Sequence, residues 1–158
     1  MTLRAHIHGM RASLLAGLLI LAACAKPAGP GGLPSDALDQ AIGGAIGDPT
    51  TCVLLADRAT GKIRYRYGDP FNCERPLPAC DRPGTLNATI AIPLAAGDGR
   101  HASCASVPDD SRTVGWAEGR VAGAKDDLVF SAVMEGQRTL PGQEISDRLA
   151  DVFQRVGL

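Results

Sequence analysis

Two neighbouring stretches decide the fold of this 158-residue chain: residues 113–121 read TVGWAEGRV, and residues 128–134 read LVFSAVM. Both are rich in apolar residues and have the length of strands, and only AGAKDD at 122–127 separates them. Strands joined by so short a connection pair antiparallel, because a parallel pair needs a crossover of about a dozen residues or more. The sequence therefore predicts a β-hairpin around which the other elements are arranged.

Helical periodicity lies on both sides of this hairpin. Apolar residues recur at helical spacing over residues 35–46, which predicts a first helix there. After the hairpin, Pro141 and Gly142 precede an amphipathic run that ends at Gly157, and this run predicts a last helix. Its apolar positions are Ile145, Leu149, Val152, Phe153 and Val156.

Two further strands are predicted upstream. Residues 52–56, CVLLA, are continuous and apolar, as in a central strand. Residues 62–67, KIRYRY, alternate strictly, which places Ile63, Tyr65 and Tyr67 on one face. The other face would carry Arg64 and Arg66 after Lys62. This basic stripe indicates a charge-protected edge strand, and the alternative is a surface that contacts an anion or a lipid headgroup.

Together these elements predict the fold class. We expect residues 101–106 to form a further short strand and residues 85–92 to form a short helix. We expect an α+β fold, in which an antiparallel sheet of about five strands is flanked by an N-terminal and a C-terminal helix. Residues 35–158 would form one domain, since their number suits a single core.

The N-terminal residues are typical of an export signal. Arg4 and Arg11 precede an apolar run over residues 14–23, which is shorter than the ~20 residues of a transmembrane helix. Residues 21–24, LAAC, resemble the bacterial lipobox. The resemblance implies a signal peptide over 1–23, lipidation at Cys24 and a Pro/Gly-rich tether over 24–34. It places the protein on a cell-envelope membrane, the outer one, facing the periplasm. The alternative is an ordinary signal peptide that is cut after Ala25.

Four cysteines remain after Cys24, an even number in an oxidising compartment. Cys73 and Cys80 bracket a Pro-rich stretch, so we favour a local Cys73–Cys80 bridge, which leaves Cys52–Cys104 by elimination. The alternative is a zinc site, but the chain has no CxxC pair, so neither a metal nor any other cofactor is expected.

The layout resembles the α/β half of the penicillin-recognising serine hydrolases, and residues 114–119 with 128–134 look like a strand hairpin of class D β-lactamases. That family attacks its substrate with the serine of a Ser-x-x-Lys motif. No serine after the leader is followed by such a lysine. The resemblance therefore implies a domain without that chemistry, which would bind a cell-wall ligand.

Two other features are candidates for a site. His101 and Ser103 would share one face of a strand and, with Asp57 or Asp98, could imitate a Ser-His-Asp set. Trp116 is the only tryptophan, and it is either a core anchor or a platform for a ligand. The net charge is −1 and no basic run stands out, so nucleic acid is not an expected partner.

We expect a lipid-anchored cell-envelope protein with a non-catalytic binding or assembly role. Its partners would be the membrane, through Cys24, and an envelope protein or a cell-wall ligand. One alternative is a small serine-type hydrolase or amidase that uses Ser103 and His101. The others are a degenerate β-lactamase-like domain that binds a cell-wall ligand, and a purely structural component of the envelope.

Overall fold

The computed structural model describes residues 32–124 and 127–158. The predicted signal peptide, Cys24 and most of the tether lie outside these residues. No helix within the described ranges combines the length and the apolarity needed to cross a bilayer. The elements follow in the order α1 (Ser35–Ile46), β1 (Cys52–Asp57), β2 (Ile63–Tyr67), α2 (Pro70–Glu74), β3 (Leu77–Pro78), β4 (Thr85–Leu86), α3 (Ala88–Ala91), a 3₁₀ helix (Ile92–Ala96), β5 (Arg100–Ala105), β6 (Thr113–Arg120), β7 (Leu128–Gly136) and α4 (Gly142–Val156).

The main sheet has five antiparallel strands in the order β2-β1-β7-β6-β5. The predicted hairpin is β6 and β7, which pair from Thr113 opposite Gly136 to Arg120 opposite Val129. These strands and β1 are almost entirely buried, because both faces of the sheet are covered. The predicted α+β class, with its five strands and two flanking helices, is confirmed.

Helices α1 and α4 pack against each other and cover one face of the sheet, which we call the helix face. Leu38 and Ile42 of α1, and Ile145 and Leu149 of α4, are fully buried there. The first turn of α4 lies directly on the sheet. A Cβ atom at Gly142 would overlap the carbonyl oxygens of Trp116 and Ala102, so only glycine allows this approach. The apolar stripes seen in the sequence therefore pack on a single side.

The opposite face is covered by residues 68–99, which we call the insert. It contains α2, β3, β4, α3 and the 3₁₀ helix, none longer than five residues. Its inner side is mostly made of small residues, which pack on β1, β6 and β7. Its buried members are Cys73, Leu77, Ala79, Leu86, Ala88, Ala91, Ile92 and Ala95. The insert is therefore a thin layer that buries little apolar surface per residue.

Two disulfides join the insert to the sheet, and their pairing corrects the predicted one. Cys52 on β1 is bonded to Cys73 on α2, and Cys80 is bonded to Cys104 on β5. The predicted Cys52–Cys104 bridge is wrong because β7 and β6 lie between β1 and β5. Three strand spacings separate the two backbones by about 14 Å. A disulfide needs Cα atoms within about 7 Å, so Cys52 and Cys104 cannot be bonded. The predicted Cys73–Cys80 bridge is wrong as well, because each of these two cysteines is bonded to a cysteine of the sheet.

The edge strand β2 departs from strict alternation. Leu55 lies opposite Tyr65 and Ala56 lies opposite Ile63, so Arg64 is the extra residue of a β-bulge. The bulge turns Ile63 to the insert side, while Tyr65 and Tyr67 stay on the helix face. The predicted common face of the three residues is therefore wrong for Ile63.

Candidate functional site

The predicted Ser-His-Asp set is not assembled among the described residues. His101 lies opposite Ala117 and Ser103 opposite Gly115, so both side chains share the helix face, as expected from their spacing. The Oγ of Ser103 accepts a hydrogen bond from the backbone N–H of Gly142 at 2.8 Å, which satisfies a free donor at the start of α4. The carboxylate of Asp57 accepts from Thr60 instead of from a histidine. Ser103 is thus a capping residue in this geometry.

Trp116 lies under the insert. Its side chain is only 2% exposed, and its indole Nε1–H donates to the carbonyl oxygen of Pro78 at 2.8 Å. Of the two interpretations of this residue, the structure fits the core anchor. The Pro78 carbonyl belongs to β3, so the tryptophan also fastens the insert to the sheet.

The basic residues of β2 lie on an outer strand of the sheet. Arg64 forms the bulge, and its charge contributes to a lowered pKa of Asp57, whose main cause is the hydrogen bond from Thr60. Arg66 lies opposite Leu54 and is exposed to solvent. These positions agree with a charged edge strand, which discourages pairing with another sheet.

A buried carboxylate that the sequence analysis missed joins three segments. Glu135 on β7 is almost fully buried on the insert side, and the guanidinium of Arg112 binds it through Nε and Nη2, both at 2.6 Å. Nη2 of Arg75 and Oγ of Ser106 each donate to it at 2.8 Å. The hydrogen bonds from Arg112 are the main reason why the pKa of Glu135 falls to about 2. Its ion pairs therefore hold the insert and the β5–β6 loop on the sheet.

A second buried acid lies in the neighbouring strand. Glu118 on β6 is 3% exposed, and Nη1 of Arg100 approaches it at 3.4 Å. Burial raises the pKa of Glu118, in contrast to Glu135. Arg100 also forms an ion pair with Asp81 of the insert. No group of three or more histidine, cysteine, aspartate and glutamate side chains suited to a metal occurs in residues 32–124 and 127–158.

Two large apolar side chains point outward from the insert, and we call them the apolar pair. Phe71 is 68% exposed and Ile90 is 58% exposed. Phe71 belongs to α2 and Ile90 to α3, and these two helices contact each other. The N–H of Phe71 donates to Asp69 Oδ1 at 2.7 Å, and that of Ile90 donates to Asn87 Oδ1 at 2.8 Å. Both backbones are therefore fixed at helix N-termini, while their side chains face solvent.

A concavity that we call the cleft lies beside the end of the β6–β7 hairpin. It encloses about 770 Å³ between α4, the end of the β6–β7 hairpin and residues 97–99. Phe130 and Phe153 line it with their ring centroids 5.4 Å apart, and Asp98 and Asp151 are exposed at its rim. Asp98, one of the acids considered for the catalytic set, is thus placed in the cleft. The volume lies within the range of small-molecule sites.

The chain matches no protein-family model, no curated protein and no solved structure. The sequence pattern indicates neither the apolar pair nor the cleft, because Phe71 and Ile90 belong to short elements without a clear period. The cleft residues come from three separate stretches of the chain.

Proposed function

We propose that the protein is a lipid-anchored component of the bacterial cell envelope that docks another envelope protein through the insert. The observation that carries the proposal is the apolar pair. Contiguous apolar patches on a protein surface are typical of protein–protein contact sites, and Phe71 and Ile90 come from two helices that contact each other. Aromatic residues in particular act as anchors at such sites.

The order of the surrounding segment supports this role. The Nδ2 of Asn72 donates to Pro49 O at 2.8 Å, and the Nδ2 of Asn87 donates to Glu74 O at 3.2 Å. The Cys52–Cys73 bridge joins α2 to the sheet immediately beyond Phe71. A side chain whose backbone is already fixed loses less conformational freedom on binding, so the insert presents its anchors at a low entropic cost.

The position of the tether also favours a protein partner over the anchoring membrane. Leu33, near the C-terminal end of the tether, is buried in the core of the helix face, whereas the apolar pair lies on the insert side. The chain thus enters the domain on one side of the sheet and presents Phe71 and Ile90 on the other. The lipobox resemblance at residues 21–24 supports the anchor itself, with attachment through Cys24. We extend the proposal to the outer membrane, facing the periplasm.

The test of docking uses the full chain in its native membrane. We expect affinity capture after mild solubilisation to retain one envelope protein in near-stoichiometric amount. The double variant Phe71→Ser/Ile90→Ser should reduce that capture at least about tenfold, because two anchors are removed. Gln40→Ala changes an exposed residue of the helix face and is the matched control. Equal capture by the double variant and the wild type would contradict docking through the insert.

The anchor has a separate test. Cys24→Ser removes the thiol that would receive lipid, so we expect an unprocessed or mislocalised product. Mass spectrometry of the mature wild-type N-terminus should show acyl groups on Cys24. A variant that matures normally and still sediments with membranes would overturn the anchor but leave the docking test unaffected.

A further inference from the structure

Residues 77–86, which we call the ribbon, are the part of the insert that is bonded to the edge strand β5. The strands β3 and β4 of the ribbon form a separate two-stranded sheet and extend over two residues each. Their contact with the main sheet is slight. A two-stranded ribbon is barely stable alone, so its position depends on the groups that fasten it to β5 and β6.

Three contacts between the ribbon and the sheet lie close together. They are the disulfide between Cys80 and Cys104, the hydrogen bond from the Trp116 indole to the Pro78 carbonyl, and the ion pair between Asp81 and Arg100. Along β5, residues 100, 102 and 104 alternate onto the insert side, and Trp116 of β6 lies opposite residue 102. One covalent bond and two polar contacts therefore fasten the same short stretch, residues 78–81.

The two disulfides of the insert differ in their access to solvent. Cys52 and Cys73 are both fully buried, whereas Cys80 and Cys104 are each partly exposed. Thiol–disulfide exchange requires a thiolate to reach a sulfur atom, so access decides which bond reacts first. A reductant can reach Cys80–Cys104 in the folded protein, but it reaches Cys52–Cys73 only after the insert has opened.

The backbone at Cys80 is strained. Its φ is +67°, and the N–H of Asp81 donates to the carbonyl oxygen of Ala79 at 2.9 Å, so Cys80 is the central residue of a γ-turn. The form of this turn with positive φ is rare, because residues other than glycine seldom adopt such a conformation. Opening of the bridge would free Cys80 to leave the turn, which favours the open state.

We propose that Cys80–Cys104 is a redox-sensitive latch, which a protein dithiol opens while Cys52–Cys73 stays closed. A thiolate of the dithiol attacks one sulfur of the bridge, forms a mixed disulfide and releases the other cysteine as a thiolate. The second thiol of the reductant then attacks the mixed disulfide, which frees the remaining cysteine and leaves the reductant oxidised. Two electrons and two protons pass to the bridge in total.

The open latch changes the surface of the molecule. Without the bridge, the ribbon leaves the sheet and exposes the indole of Trp116, which is 2% exposed in the closed form. The apolar pair stays in place, because Cys52–Cys73 still joins α2 to β1. The latch therefore goes beyond docking through the apolar pair and can be tested separately from it.

Graded reduction of the full-length mature protein tests the order of opening. The oxidised protein is treated with dithiothreitol at neutral pH, quenched with N-ethylmaleimide at intervals and digested for mass spectrometry. We expect Cys80 and Cys104 to be alkylated at least about tenfold faster than Cys52 and Cys73, because only the first two are accessible. Equal rates, or an earlier opening of Cys52–Cys73, would overturn the latch.

The fluorescence of Trp116, the only tryptophan of the chain, reports the position of the ribbon. Once only Cys80–Cys104 is open, the emission should shift to longer wavelength and quenching by acrylamide should increase. The variant Cys80→Ser/Cys104→Ser should show the same emission without any reductant. An indole that stays shielded in the selectively reduced wild type would contradict release of the ribbon, and that measurement does not depend on how well the variant folds.

A milder variant tests whether the neighbouring contacts restrain the ribbon. Asp81→Asn removes the ion pair with Arg100 and should speed the reduction of Cys80–Cys104 about threefold, as expected for a partly exposed pair. The matched control Asp110→Asn removes a carboxylate beside Cys104 but keeps the contacts of the ribbon, so its rate should stay at the wild-type value. Equal acceleration in the two variants would show an effect of charge alone and would contradict the latch.

Discussion

The two faces of the sheet are covered in different ways. On the helix face, two helices of 12 and 15 residues bury leucine, isoleucine, valine and phenylalanine side chains. On the insert side, the elements have two to five residues, and four of the eight buried residues of the insert are alanines. Short helices nucleate poorly and small side chains bury little area, so such a layer has little stability of its own. Here, two disulfides and the Glu135 ion pairs supply what apolar packing does not.

The largest effect should follow from removal of both bridges. Replacing all four cysteines, Cys52, Cys73, Cys80 and Cys104, by alanine should lower the free energy of unfolding by about 6 kcal/mol. Loops of 21 and 24 residues each constrain the unfolded chain by about 3 kcal/mol. Urea unfolding at neutral pH measures the change, and hydrogen exchange should show the loss of protection first in residues 68–99.

The control is the wild-type protein with and without a reductant, which opens the bridges and leaves the side chains in place. A loss below about 1 kcal/mol in either experiment would mean that the insert is held by packing alone. The contrast between the two faces would then disappear.

A smaller effect on the free energy of unfolding should distinguish the two faces when a buried leucine is replaced by alanine on each of them. Leu149→Ala on α4 should cost about 3 kcal/mol, because a rigid, closely packed core cannot collapse around the cavity. Leu86→Ala on β4 should cost about 2 kcal/mol, since the thin insert can relax toward the sheet. Thermal or urea unfolding of both variants gives the comparison. An equal or larger cost at Leu86 would show that the insert is packed as rigidly as the helices.

The smallest effect concerns Glu135. Glu135→Gln keeps the shape but places an amide donor against Arg112, which should cost about 2 kcal/mol at neutral pH. The pKa of Glu135 lies below the ordinary value of 4.5, so its stabilisation is fully present above that pH. It is lost as the pH falls toward 2. The difference between wild type and variant should therefore shrink between pH 5 and pH 2.

The control for this pH experiment is Glu144→Gln. Glu144 pairs with Arg148 one helical turn away on the exposed side of α4, and we expect its loss to cost less than about 0.5 kcal/mol. A Glu135 variant whose stability follows the wild-type pH profile in parallel would contradict the assigned role of the buried carboxylate.

The same contrast explains what could be predicted from the sequence. The elements of the helix face can be predicted from the sequence, because α1, α4 and the β6–β7 hairpin are long enough to show a clear pattern of apolar residues. The arrangement of the insert cannot be predicted in this way, because its position is set by contacts with strands that are distant in the chain. Sequence proximity favours a local bridge between Cys73 and Cys80, whereas each of these cysteines is bonded to a cysteine on a different strand of the sheet.

The side-chain contacts of the candidate sites could not be predicted from the sequence for a related reason. Glu135 directly follows the apolar stretch 128–134 in the sequence, and nothing local shows that Arg75 and Arg112 converge on it. In the β2 strand, the alternation was visible but the bulge at Arg64 was not, since bulges depend on the neighbouring strand. His101 and Ser103 do share a face, but the serine hydroxyl is hydrogen-bonded to the backbone N–H of Gly142 at the start of α4. The sequence pattern shows which face a side chain lies on, but not which group forms a hydrogen bond with it.

The bridges join cysteines that follow one another along the chain, 52 with 73 and 80 with 104. If the polypeptide is exported N-terminus first, Cys52 and Cys73 would both have crossed the membrane before Cys80 and Cys104 follow. An oxidase acting on the emerging chain could therefore form the native bonds in order, with no need for an isomerase to reshuffle them. Maturation of this domain would then depend on thiol oxidation alone.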